Sequence, residues 1–138
     1  MWTVERDPIL RSAFLNITLL DQAPDYERFR ARMASTVRGM PRLRQRIELA
    51  QLPLVPPEWV DDPDFDISNH VRRVTLPEPG TERQLLDLGA QRLQEPFDPG
   101  RPLWQITIVD GLSGGRAGLF AKFHHAVTDG VGGVRLVA

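Results

Sequence analysis

The stretch Gly118–Gly130, GLFAKFHHAVTDG, joins an apolar run to a heptapeptide that contains two adjacent histidines and a carboxylate. The apolar run is typical of a buried strand, so the heptapeptide is expected at the end of a sheet strand. Side chains alternate along a strand, and His124 and His125 are therefore expected to point to opposite faces. Only one of the two histidines can easily face a given site.

A histidine in this position is a candidate general base. Neutral imidazole can accept a proton and return it within one catalytic cycle, because its pKa lies at about 6.5. We expect His125 to reach a cavity where the chain leaves the strand, with Gly130 as a turn residue. Asp129 is expected either to lock that turn through an arginine or to orient a histidine ring. The alternative is a hydrogen-bonded histidine that is buried at the strand end.

Three other stretches of the sequence offer alternative catalytic or binding motifs. Gly111–Gly115, GLSGG, matches the G-x-S-x-G motif of hydrolases, but two strand-like runs flank it here, and we interpret it as a hairpin turn. A zinc site needs at least three convergent ligands, and the sequence offers no second spaced pair beside His125 and Asp129, so no metal is expected. Residues 130–133 are rich in glycine but lack the lysine of a P-loop.

The hydrophobic pattern predicts a mixed α and β fold, of the α/β class. Residues 13–20 alternate with one fully apolar face, which indicates a core strand. Asp25 and Gly39 suit the two caps of one helix, and Thr81 with Gln84 forms the capping box of another. The predicted elements are strands near 13–20, 103–109 and 118–124, and helices near 25–39 and 82–94.

Two further segments have a distinctive composition. Residues 52–79 are rich in proline, which predicts loops and edge strands because proline cannot donate to a strand ladder. Residues 28–46 contain seven arginines and no acidic residue. Such a patch can bind lipid head groups or a cofactor phosphate, and the alternative is a solvated helix face.

Composition restricts the class of protein. The chain has 138 residues, of which 41% are hydrophobic and 25% charged, as expected for one globular domain. A net charge of -1 argues against nucleic acid as a partner. The sequence has no cysteine and no apolar stretch near the roughly 20 residues that span a bilayer, which favours a cytoplasmic location.

The heptapeptide His124–Gly130 resembles the His-His-x-x-x-Asp-Gly signature of the CoA-dependent acyltransferase superfamily, which has the chloramphenicol-acetyltransferase-like fold. The upstream segment Pro96–Trp104, PFDPGRPLW, is similar to the bacterial wax ester synthase/diacylglycerol acyltransferase family. The resemblance extends over residues 41–133, with several motifs in the expected order and with the expected gaps. Those motifs are Arg42–Arg44, Trp59–Val60, Phe65–Asp66, His70–Arg72 and Leu76–Gly80.

The resemblance implies an O-acyltransferase that moves a fatty acyl group from acyl-CoA to diacylglycerol or a long-chain alcohol, with acyl-CoA as co-substrate and no other cofactor. It implies that His125 is the general base, and that His124 and Asp129 are motif members with a mainly structural role. Neutral lipid substrates favour peripheral contact with a membrane or lipid droplet. Residues Pro102, Leu103 and Trp104 match a motif that lines or supports the acyl tunnel, and core packing is the alternative.

Length is the departure from the family pattern. Members are more than twice as long, and their second half closes the active-site tunnel. We therefore expect residues 1–138 to be the N-terminal half of the acyltransferase domain, truncated after the motif and inactive without the missing C-terminal half as its partner. Two other hypotheses stay open. One is a condensation-type or non-catalytic relative of the same superfamily, and the other is a remnant that only binds a partner.

Overall fold

The computed structural model describes residues 12–48, 56 and 58–131. Over these ranges the chain forms a four-stranded sheet, a separate strand pair and helices that cover the sheet. The strands are β1 (Ala13–Leu20), β2 (Gln45–Glu48), β3 (Glu58–Asp61), β4 (Val71–Thr75), β5 (Trp104–Leu112) and β6 (Arg116–His124), and the helices are α1 (Tyr26–Arg38), α2 (Glu82–Gln94) and α3 (His125–Val131).

The four-stranded sheet has the order β1-β6-β5-β4. Strand β6 is antiparallel to both of its neighbours, whereas β4 and β5 are parallel. A parallel pair needs a long crossover, and α2 supplies it between β4 and β5. The mixed α and β class is confirmed. Strands β2 and β3 form a separate antiparallel pair.

The caps predicted from sequence form at both long helices. The Asp25 carboxylate accepts the backbone N–H of Arg28 at 3.0 Å, and Gly39 follows the last residue of α1. The Thr81 hydroxyl accepts the N–H of Gln84, whose side chain accepts the N–H of Thr81 in return. These bonds satisfy amide groups that have no partner within the helix, which explains why both helices begin where the sequence indicates.

Each face of the sheet carries its own apolar cluster. The larger cluster packs α1 against β5 and β6, with Val37, Trp104 and Phe123 almost fully buried. The smaller cluster lies under α2 and includes Leu85 and Phe120. Phe120 and Phe123 are three residues apart on β6, and strand alternation directs them to opposite faces. The central strand β6 is therefore covered on both sides.

Close packing of α2 depends on two glycines. A Cβ atom on Gly118 would lie 2.7 Å from Leu85 Cδ1, and one on Gly89 would lie 2.8 Å from Ile17 Cδ1. Both distances are shorter than a carbon–carbon contact allows. Glycine at these positions lets the helix approach β1 and β6 directly.

Several sequence expectations need correction. Strand β1 has the predicted bounds, but among the described residues it pairs with β6 alone and is an edge strand, with Leu19 50% exposed. Alternation indicates that one face of a strand is apolar, but it does not indicate how many other strands pair with it. The predicted link over 110–115 is shorter, because β5 continues through an irregularity to Leu112 and only Ser113–Gly115 forms the turn.

Strand β2 was not predicted. Its four residues, QRIE, are too few to show a periodicity. The prediction for residues 52–79 is confirmed where the structure describes them, since β4 is an edge strand. Residues 52–55 and 57 of that segment lie outside the described residues.

Candidate active site

The two histidines lie where β6 passes directly into α3. His124 is the last residue of the strand and is 6% exposed, whereas His125 is the first residue of the helix and has an exposed side chain. Strand alternation does not decide the direction of the His125 side chain, because this residue already belongs to the helix, and the two rings are distinguished by their burial. Of the two imidazoles, only that of His125 is open to a substrate.

The His124 side chain caps the start of α3. Its Nδ1 accepts the backbone N–H of Ala126 at 3.0 Å, so Nδ1 carries no proton and the neutral ring is protonated at Nε2. The His124 backbone N–H also donates to the carbonyl oxygen of Leu103 at 3.1 Å, which ties the strand end to the segment before β5. His124 thus fixes the first turn of the helix that begins with His125.

The start of β1 holds His125 from the other side. The His125 backbone N–H donates to the carbonyl oxygen of Ser12 at 3.0 Å, and the Phe14 ring centroid lies 4.9 Å from the His125 ring centroid. The carbonyl oxygen of His125 accepts the Thr128 hydroxyl at 2.9 Å. Sequence reasoning missed Phe14, because it assigned this residue to the polar face of β1. Phe14 is brought to His125 by the pairing register of β1 on β6, and the sequence alone does not reveal this register.

Asp129 and Gly130 are part of α3, and the structure describes only their backbone. The prediction that Gly130 forms a turn is wrong, because the strand converts to helix at His125 and the helix continues past Gly130 to Val131. Within the described ranges, no three side chains of histidine, cysteine, aspartate or glutamate come together as a metal site would require.

The segment Pro102–Trp104 is buried. Leu103 and Trp104 belong to the larger apolar cluster, and the Trp104 indole N–H donates to the carbonyl oxygen of Leu43 at 2.8 Å. A buried indole with a satisfied N–H is a strong packing element. These contacts favour the packing interpretation of the segment over a lining role.

His70 is a buried structural histidine. Its ring stacks between Phe65 and Trp104, with centroid distances of 5.1 and 4.8 Å. Its Nδ1 lies 2.8 Å from the Trp104 carbonyl oxygen, which only accepts, so Nδ1 carries a proton. Burial lowers the pKa of His70 and favours the neutral ring. The two stacked rings and the hydrogen bond to Trp104 indicate a structural role for His70.

Lys122 is a second residue whose role the sequence did not indicate. It lies on the same face of β6 as His124, and its ammonium group donates to the carbonyl oxygens of Arg92, at 2.7 Å, and Glu95. Burial lowers its pKa. These carbonyls belong to the C-terminal end of α2, where a positive charge is favourable. Lys122 therefore fastens α2 to the strand that carries the histidines.

The mixed sheet and the histidine pair at the end of β6 define the chloramphenicol-acetyltransferase-like acyltransferase fold. The first condensation domain of the calcium-dependent antibiotic synthetase has this fold, with a TM-score of 0.69 over 90% of this chain and 31% of its own, at 17% identity. At that identity the likeness concerns the fold alone. The wax ester synthase/diacylglycerol acyltransferase of Marinobacter aquaeolei gives a TM-score of 0.68 at 29% identity, over 90% of this chain and 32% of that one.

The chain belongs to the wax ester synthase/diacylglycerol acyltransferase catalytic domain family, whose model matches residues 6–138. One Mycobacterium tuberculosis relative, whose name provisionally assigns it diacylglycerol O-acyltransferase activity, is 47% identical over 97% of this chain. A second M. tuberculosis protein with a similarly provisional name, tgs1, is 41% identical over 84% of this chain. The chain spans about a quarter of the length of these curated relatives, with 27% and 25% of each covered.

Proposed function

We propose that the protein containing this chain is an O-acyltransferase that moves a fatty acyl group from acyl-CoA to diacylglycerol or a long-chain alcohol. The observation that carries the proposal is the position of His125, an exposed imidazole at the end of the central strand of a family member. His124 supports this imidazole by capping α3 and is not itself the base.

In the proposed reaction, His125 takes the proton from the acceptor hydroxyl, and the hydroxyl oxygen attacks the thioester carbonyl carbon. The tetrahedral intermediate collapses by breaking the carbon–sulfur bond, and the proton on His125 passes to the thiolate of CoA. The products are an ester and free CoA, and no covalent acyl-enzyme forms. Asp129 and Gly130, as members of the same motif, are proposed to support α3.

We further propose that residues 1–138 form the N-terminal part of the acyltransferase domain. An exposed general base needs a second wall that excludes water and aligns the two substrates. The remaining three quarters of a family protein's length are the proposed source of that wall. Residues 1–138 alone are therefore expected to lack activity.

The assay that tests this function compares acyl donors. The full-length protein is incubated with diacylglycerol or hexadecanol and either radiolabelled palmitoyl-CoA or palmitate carried on an acyl carrier protein. Transfer from palmitoyl-CoA to either acceptor supports the proposal. Transfer only from the carrier-bound donor would instead support the condensation-type alternative.

Peripheral contact with an anionic membrane surface is part of the same proposal. No helix within the described ranges is long and apolar enough to cross a bilayer. On α1, Met33 and Val37 are buried, whereas Arg28, Arg32 and Arg38 are exposed on the outer side. None of these arginines forms an ion pair with an acidic side chain of the described residues. The three uncompensated charges favour anionic lipid head groups.

Replacing Arg28, Arg32 and Arg38 with glutamine is expected to weaken binding to phosphatidylglycerol vesicles by about a hundredfold, since each arginine near such a surface contributes about 1 kcal/mol. Sedimentation with vesicles that contain or lack phosphatidylglycerol measures the effect. The control removes three exposed arginines elsewhere, Arg72, Arg83 and Arg101. Equal losses in the two triple variants would contradict a specific role for α1.

A further inference from the structure

A row of neighbouring aromatic rings leads across the larger core cluster to His125. Trp104 lies 6.5 Å from Phe123, Phe123 lies 6.1 Å from Phe14, and Phe14 lies 4.9 Å from His125, measured between ring centroids. Distances of about 4.5 to 7 Å are those of interacting aromatic pairs. The stack of Trp104, His70 and Phe65 extends the row at its other end to the half-buried Phe65 ring.

The strand register explains why this row ends at the candidate base. Phe14 pairs directly with Phe123 across the β1–β6 ladder. His125 lies two residues beyond Phe123, so Phe14 is its diagonal neighbour across the strands, within reach of an aromatic side chain. The hydrogen bond from the His125 backbone N–H to the Ser12 carbonyl oxygen keeps β1 and the start of α3 together at this point.

The contact matters because His125 has few other restraints. Its side chain is exposed, and the Phe14 ring is its only aromatic neighbour among the described residues. Rotation of an imidazole about its last side-chain bond is broad and only weakly restricted by the bond itself. A ring tilted by 38° at 4.9 Å limits that rotation from one side.

We propose that Phe14 is a positioning residue for the general base. The inference rests on the proposed function and adds a residue to it: the ring of Phe14 holds the His125 imidazole in the orientation that receives the proton of the acceptor hydroxyl. The core row anchors Phe14 in turn, through Phe123 and Trp104. Phe14 itself has no contact with the reacting atoms.

The test is the Phe14→Leu variant of the full-length enzyme, with palmitoyl-CoA and diacylglycerol as substrates. Leucine retains an apolar side chain but has no flat face. We expect kcat to fall by about ten- to a hundredfold, the cost of a misplaced catalytic group, with little change in KM. Phe14→Tyr keeps the ring and is expected to retain most of the activity.

Phe120→Leu is the matched control for packing, because Phe120 is a buried phenylalanine of β6 that belongs to the cluster under α2. This variant should lower the melting temperature while kcat stays near that of the parent. A second readout is the NMR signal of the His125 ring, which should shift in Phe14→Leu and not in Phe120→Leu.

The outcomes separate this inference from the proposed function. If the parent enzyme transfers no acyl group, the proposed function fails. If the parent is active and Phe14→Leu keeps its kcat and its His125 signal, the positioning role is wrong. An equal loss of kcat in Phe14→Leu, Phe14→Tyr and Phe120→Leu would also overturn it, because the effect would then be one of core stability.

Discussion

The full-length enzyme with His125→Ala is expected to lose acyl transfer, with kcat reduced by about a hundred- to ten-thousandfold, the usual contribution of a general base. The fold should be unaffected, because the His125 side chain is exposed and surface substitutions change stability by only about 0.5 kcal/mol. Steady-state turnover of palmitoyl-CoA measures the loss, and circular dichroism verifies the fold.

The neighbouring histidine provides the matched control. Asparagine at position 124 places its side-chain oxygen the same number of bonds from Cα as Nδ1, and asparagine is a favourable helix cap. His124→Asn can therefore still accept the Ala126 amide, and it should retain far more activity than His125→Ala. His124→Gln carries the oxygen one bond further and should lose the cap. If His124→Asn were as inactive as His125→Ala, assigning the base to His125 alone would be untenable.

Local sequence signals predicted most elements of this fold correctly. Strand β1 and helix α2 have the bounds that alternation and the Thr81 capping box indicate, because both signals act between residues close in the chain. The edge position of β1 was not predictable in this way. It depends on which strands pair, and pairing is decided by contacts between distant parts of the chain.

The candidate site shows the same limit. Strand alternation predicted that His124 and His125 differ, but His125 already belongs to α3, and the two rings differ in burial because the chain changes from strand to helix between them. The supports of His125 come from another strand: Ser12 and Phe14 approach it only through the register of β1 on β6. Gly130 was assigned to a turn because glycine allows a positive φ, but the helix that starts at His125 includes it.

Trp104→Ala is expected to destabilise the protein by about 3 to 5 kcal/mol, the usual cost of removing a large buried aromatic side chain. Trp104 is 0% exposed, and its loss would leave a cavity beside His70 and Phe123. It would also leave the Leu43 carbonyl oxygen without its indole donor, at a further cost of about 1 to 3 kcal/mol. These losses are a large fraction of the about 5 to 15 kcal/mol by which a domain is stable, so the melting temperature of the variant should fall markedly.

The same substitution decides between the two interpretations of the Pro102–Trp104 segment. Trp104→Phe keeps a ring in the core but removes the donor to Leu43, and under the packing interpretation its melting temperature should lie between those of the parent and Trp104→Ala. Under the lining interpretation, Trp104→Ala would fold with nearly unchanged stability. It would also accept longer acyl chains, because the smaller side chain would leave more room in the tunnel. Thermal unfolding together with an acyl-chain-length series separates the two. We expect the loss of stability, because Trp104 makes its contacts with the core residues His70, Leu43 and Phe123.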